Sequence, residues 1–86
     1  MTRFEGKIAV VTGGGHGIGA AVTRQLVREG ATVIVATRGN ASEGLGELPP
    51  ERTVIANCDV SQEADVDRVF EMCGDRFGRL DLLVNN

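Results

Sequence analysis

A glycine-rich segment, Thr12-Gly13-Gly14-Gly15-His16-Gly17-Ile18-Gly19, sets the strongest limit on what this chain can fold into. It follows Lys7 to Thr12 (KIAVVT), a β-rich apolar run whose two faces both read as buried, as in a central strand of a parallel sheet. It precedes a helical pattern in which Ile18, Val22, Gln25 or Leu26, and Glu29 mark successive turns, with Ala21, Val22, Leu26 and Val27 apolar, and Gly30 supplies a terminator. Glycine permits left-handed backbone angles in the turn and leaves no Cβ where a ligand must approach the main chain. The first turn of the following helix has unpaired N–H groups and a partial positive charge. Strand, glycine turn and helix start together form an anion site suited to a pyrophosphate. A Walker-type loop is excluded, because Ala20-Ala21 stands where Lys-Ser or Lys-Thr would follow the last glycine. The other reading is a turn that serves only close packing of helix on strand.

The rest of the chain repeats the alternation. Thr32 to Thr37 (TVIVAT), Arg52 to Cys58 (RTVIANC) and Leu80 to Val84 read as further strands, the last interrupted by Asp81. Residues 38–51 carry three glycines and Pro49-Pro50, which leaves room for one or two weak helical turns at 41–48. Ser61 is the expected N-cap of a second long helix, with Glu63 and Asp65 near its positive end. Val66, Val69, Phe70, Cys73 and Phe77 form its apolar stripe and Gly78 ends it. The pattern predicts strands at 7–12, 32–37, 53–58 and 81–85, and helices at 18–29 and 62–77. Alternating strands and helices imply one α/β domain over residues 1–86, a partial Rossmann-type doubly wound parallel sheet in strand order 3-2-1-4.

Composition removes several function classes. A net charge of −3 argues against nucleic acid as a partner, and the chain has neither Trp nor Tyr to stack on bases. Cys58 and Cys73 lack metal-ligand spacing and read as buried reduced thiols; no metal ligand is assigned. No signal peptide is present, and no segment reaches the roughly 20 apolar residues of a membrane span. A soluble, cytoplasmic protein is expected.

Three motifs in order resemble the short-chain dehydrogenase/reductase family. TGGGHGIG matches its Thr-Gly-x-x-x-Gly-x-Gly turn at Thr12, Gly13, Gly17 and Gly19. NCDVS is similar to its Asp-Val step at Asp59 and Val60, and FGRLDLLVNN to the approach to its Asn-Asn-Ala-Gly motif, with Asn85 and Asn86 present. The resemblance implies that backbone from Gly15 through His16 and Gly17 to Ile18 cradles the pyrophosphate. Gly13 and Gly19 would allow the tight turn and helix packing. Asp59 would accept from the adenine amino group, the Val60 N–H would meet the ring, and Asn85 would hold the central strand and line the adenosine side. Asp59 also reads as a helix-start charge, and the two readings are compatible.

Cofactor choice is read at the end of the second strand, where NAD-binding proteins place a carboxylate against the ribose 2′-OH. Thr37 and Arg38 stand there instead. Arg38 can fork onto a 2′-phosphate or stack on adenine, with His16 as a second donor, so NADP is expected over NAD. A solvated strand-end charge is the alternative for Arg38. The family's catalytic Tyr, Lys, Ser and Asn belong to later segments; this chain has no Tyr, its only Lys is Lys7, and no catalytic residue is assigned. An oxidoreductase fragment, inactive alone, is therefore expected, its alcohol or carbonyl substrate met only in a complete protein. A non-catalytic nucleotide-binding module, or an interaction fragment that pairs with a partner or with itself through the edge at Leu82, Leu83 and Val84, are the other two classes.

Overall fold

The computed structural model describes residues 3–13, 17–38, 45 and 48–85. Four strands, β1 (Ile8–Thr12), β2 (Thr32–Thr37), β3 (Thr53–Asn57) and β4 (Leu82–Asn85), form one sheet in the order β3-β2-β1-β4. All three pairings are parallel, with Val10 opposite Ile34 on one side and Leu83 on the other. Among the described residues the helices α1 (Gly17–Arg28) and α2 (Glu63–Phe77) alternate with the strands, and a 3-10 turn at Pro50–Arg52 leads into β3. Every expected boundary is met to within one residue. The weak turns expected at 41–48 fall largely outside the described residues.

Strand side chains alternate between faces, and this periodicity divides the core in two. Ala9, Val11, Val33 and Val35 pack with Ala20, Leu26, Val27 and Leu45 on the α1 side. Ile8, Val10, Ile34 and Ala36 pack with Cys58, Val69 and Cys73 on the α2 side. Because β1 and β2 are covered on both faces, their sequences run apolar throughout instead of alternating with polar residues. Val10, Val11, Val33, Ile34 and Val35 are fully buried, and each contributes roughly 1.5–3 kcal/mol.

The α2 stripe is only partly covered. Val69 and Cys73 are buried, Val66 and Phe77 pack at the margin, and Phe70 stays 38% exposed. Phe70 instead lines a shallow apolar depression with Val60, Val66 and Leu83. On β4, Leu83 is half exposed and Leu82 and Val84 are partly buried. Among the described residues no helix is long and apolar enough to cross a membrane.

Ser61 corrects an expectation. The α2 cap position is Gln62, which makes no side-chain cap, and the helix starts at Glu63. Ser61 turns back instead, donating its N–H (3.0 Å) and its hydroxyl (2.7 Å) to Asp59 Oδ1. A carboxylate is a stronger acceptor than a hydroxyl, so the serine serves as donor to Asp59 rather than as acceptor for the helix.

Polar latches fix the sheet's lower end. Asp81 Oδ2 accepts the Ile8 N–H at 2.8 Å, the Asp81 N–H donates to Ile8 O at 2.9 Å, and Arg79 pairs with Asp81 Oδ1 at 2.6 Å. The start of β4 is thereby tied to the start of β1. Arg52 donates to Val27 O at 2.9 Å near the C-terminal end of α1, where a cation meets the helix dipole favourably. Ahead of β1, Arg3 pairs with the buried Glu29 and the Phe4 N–H donates to Glu29 O at 2.8 Å, strapping the N-terminal turn across the end of α1.

Gly30 and Gly78 end α1 and α2 with left-handed φ values of +99° and +74°. Their surroundings differ. A Cβ at Gly78 would stand in open space, whereas one at Gly30 would lie 2.8 Å from Glu5 Cα, a backbone atom. Gly78→Ala should therefore cost about 1–2 kcal/mol for the left-handed backbone alone. Gly30→Ala should cost more, because the strap must also be displaced. Urea denaturation of both variants measures the difference, and equal losses would show that the strap is not seated against Gly30.

Arg79, and secondarily the Ile8 N–H, hold the Asp81 carboxyl below its ordinary value. A carboxylate depressed on folding stabilises the fold fully above its unfolded pKa, about 3.9, and loses that contribution as pH falls through the folded value. Asp81→Asn should thus lower the urea midpoint at pH 7, and the gap from the parent chain should close below about pH 4. A gap that is constant with pH would mean that the carboxylate charge is not what latches β4 to β1.

Candidate functional site

The carboxyl ends of β1, β2 and β3 all point to one end of a parallel sheet, and loops leaving that end form the usual binding crevice of such folds. Here the end of β1 runs into Gly13, whose N–H donates to Ala36 O at 2.7 Å, so the glycine turn starts anchored to β2. Gly13 and Gly17 adopt φ values of +65° and +52°, in the left-handed region closed to most residues. α1 begins at Gly17, Gly19 is buried under its first turn, and Ile18 is 76% exposed. A Cβ at Gly17 would meet nothing within 4 Å, so the space beside the helix start is open. Gly15 and His16 lie outside the described residues.

Beside this turn is a hollow of about 580 Å³ lined by Gly13, Ala36, Thr37, Arg38, Cys58, Asp59, Val60 and Ser61. Two of these lining residues are joined directly, the Cys58 N–H donating to Thr37 O at 3.0 Å where β3 and β2 end. Thr37 and Cys58 are buried, while Val60 is 57% exposed. Of the residues marked from sequence, Gly13, Thr37, Arg38, Asp59 and Val60 share this hollow. Thr12 and Asn85 sit together to one side, where the Thr12 hydroxyl donates to Asn85 Oδ1 at 3.1 Å and ties β1 to β4.

Asp59 is the most constrained group in the hollow. Its own N–H donates to Asp65 Oδ2 at 3.0 Å, and Oδ1 accepts twice from Ser61. Those Ser61 donors, the hydroxyl first, together with the nearby Arg38 guanidinium, hold its carboxyl below the usual value despite partial burial. It is a carboxylate at neutral pH, an acceptor only. Oδ2 lies 3.5 Å from Arg38 Nη1, and the Arg38 side chain is 75% exposed. Arg38 therefore stands at the rim opposite Asp59, paired with it.

Sequence reasoning missed three members of the lining, Ala36, Cys58 and Ser61; Ala36 reads only as part of the second strand. Ser61 carried a readable signal, since Asp followed two residues later by Ser is a pattern for a side-chain-closed turn. Cys58 carried none beyond its place at a strand end; burial pushes its thiol, and that of Cys73, upward, so neither is a ready nucleophile at neutral pH.

Comparison with known proteins gives one answer. A family model described as short chain dehydrogenase matches residues 7–86. An L-fucose dehydrogenase of Bos taurus is 44% identical, covering 99% of this chain and 32% of its own length. A farnesol dehydrogenase of Aedes aegypti is also 44% identical, covering all of this chain and 37% of its own. Among solved structures, a glucose dehydrogenase of Caenorhabditis elegans in its apo form superposes with a TM-score of 0.87 at 32% identity, over 99% of this chain and 39% of that one. A short chain dehydrogenase from Bacillus anthracis gives 0.85 at 27% identity, over 96% and 35%. The chain spans about a third of the length of the curated relatives it matches. That family model covers all but the first six residues, and this chain belongs to the short chain dehydrogenases.

Proposed function

We propose that this chain is the dinucleotide-binding portion of an NADP-dependent oxidoreductase, which in a complete protein interconverts an alcohol and a carbonyl compound. The observation that carries the cofactor choice is the end of β2. Arg38 stands on the rim of the hollow, and neither it nor the preceding Thr37 is the carboxylate that a 2′-OH reader requires. The residues present fit the dinucleotide. Left-handed Gly13 and Gly17 with open space beside the start of α1 suit a pyrophosphate, and a hollow floored by Ala36, Cys58 and Val60 suits a flat apolar ring.

Within this reading the backbone from Gly13 through Gly15 and His16 to Gly17, Ile18 and Gly19 cradles the pyrophosphate. Asp59 accepts from the adenine amino group, and the Val60 N–H meets the ring. The Thr12–Asn85 contact keeps β1 and β4 in register beneath the adenosine. Arg38 receives the 2′-phosphate, with His16 as a second donor. When bound, the nicotinamide supplies or accepts the hydride. No residue of this chain is assigned to proton transfer. Relatives named for L-fucose, farnesol and glucose support a hydroxyl-bearing substrate and do not converge on one molecule. Two free thiols, Cys58 and Cys73, fit a reducing compartment, and we place the protein in the cytoplasm.

Arg38→Glu should weaken NADP binding by about 1.5–3 kcal/mol, the worth of a charged hydrogen bond, while sparing or improving NAD. Calorimetric titration of both cofactors against the parent chain and the variant measures this. Equal losses for the two cofactors, or none for either, would show that Arg38 does not read the 2′ position.

A further inference from the structure

We infer that Asp59 is a specificity-determining residue that competes with the cofactor's 2′-phosphate for Arg38, so that the pair sets how strongly the site prefers NADP. The inference rests on the dinucleotide reading above and adds to it a role for Asp59 distinct from its contact with adenine.

The two partners are held very differently. Asp59 is fixed from three directions: its N–H is bound by Asp65 Oδ2, and its Oδ1 by the N–H and hydroxyl of Ser61. Only Oδ2 is left to face Arg38, at 3.5 Å from Nη1. Arg38 has a 75% exposed side chain on the last turn of backbone leaving β2, so its guanidinium is the partner that moves. Both residues line the same hollow. A 2′-phosphate arriving there meets a guanidinium already engaged by a carboxylate of like charge to itself. It must take Arg38 over from Asp59, and what the bidentate phosphate contact gains is reduced by the ion pair given up. A cofactor with a 2′-OH has no such exchange to make. The pair therefore narrows the preference for NADP without abolishing it.

The size follows from the geometry. A pair at 3.5 Å with one exposed partner belongs with surface ion pairs, whose measured strength corresponds to about a two- to fivefold change in an equilibrium constant. Asp59→Asn removes the competing charge but keeps a carbonyl that can accept from Ser61 and from an adenine amino group. NAD shares the adenine, so the ratio of NADP to NAD affinity cancels any loss at that contact.

The test is a double-mutant cycle by calorimetry with NADP and NAD on the 86-residue chain, its D59N and R38Q variants, and the double variant. Circular dichroism checks that each is folded. The expected result is that D59N raises the NADP-to-NAD affinity ratio about two- to fivefold in the presence of Arg38 and leaves it unchanged in the R38Q background. An unchanged or lowered ratio in D59N overturns the inference, because no competitor was removed. An equal rise in both backgrounds also overturns it, since that would be direct repulsion between Asp59 and phosphate with Arg38 uninvolved. Failure of the parent chain to bind either cofactor overturns the dinucleotide reading itself, and the inference with it. Should D59N lose its fold, Asp59→Ser serves in its place: it also removes the carboxylate charge facing Arg38, and the same ratio must again rise only when Arg38 is present.

Discussion

β1 is hydrogen-bonded on both sides and buried on both faces, and every other element takes its place from that strand. β2 and β4 pair with it directly, β3 is added outside β2, and α1 and α2 cover its opposite faces. A strand in this position can hold almost no polar side chain, which is why Ile8 to Val11 are apolar without a break. Its two ends are then the only places where polar chemistry can enter. The amino end is closed by Asp81, and the carboxyl end opens into Gly13 and the helix start. The candidate site is thus a consequence of the sheet's construction: parallel strands deliver their ends to one side, and the central strand delivers the glycine turn among them.

Much of this was legible in the sequence because it depends on periodicity and on residues without alternatives. Apolar runs of strand length, glycines at Gly13, Gly17, Gly30 and Gly78, and the long stripe of α2 each have one economical structural meaning. Their left-handed φ values, from +52° to +99°, are the reason glycine was needed at those points. Strand order followed from the same signals through the rules for parallel connections.

Side-chain polar contacts were less legible, and Ser61 shows why. A serine ahead of a helix can accept from the helix or donate to a neighbour, and the outcome depends on whether a stronger acceptor is within reach. Asp59 is such an acceptor, so Ser61 closes a turn around it and the helix starts without a side-chain cap. Arg38 posed the same difficulty over a longer range. Sequence marked it for a phosphate and marked Asp59 for adenine, but nothing in a linear chain says that the two side chains meet. Phe70 differs again: its place in the stripe was right, yet coverage of a stripe depends on which strand lies beneath, and at Phe70 the neighbour is the half-exposed Leu83.

Two aspartates at opposite ends of the sheet show how the same pair of charges can lock or remain exchangeable. Asp81 uses both oxygens: Oδ2 takes the Ile8 N–H at 2.8 Å, and Oδ1 holds Arg79 at 2.6 Å with a second contact from Nε at 3.2 Å. The guanidinium closes on a carboxylate that is itself tied to the central strand, and separating them would disturb the start of β1. Asp59 commits Oδ1 to Ser61 and leaves Oδ2 with a longer contact, 3.5 Å, to a guanidinium exposed on the rim. Breaking that contact disturbs no strand, because the Asp59 turn is held by Ser61 and Asp65, and the Arg38 carbonyl is held by the Thr37 hydroxyl. A short pair built into the sheet serves stability. A long pair across a hollow, with one partner anchored and the other able to swing, is suited to exchanging one anion for another.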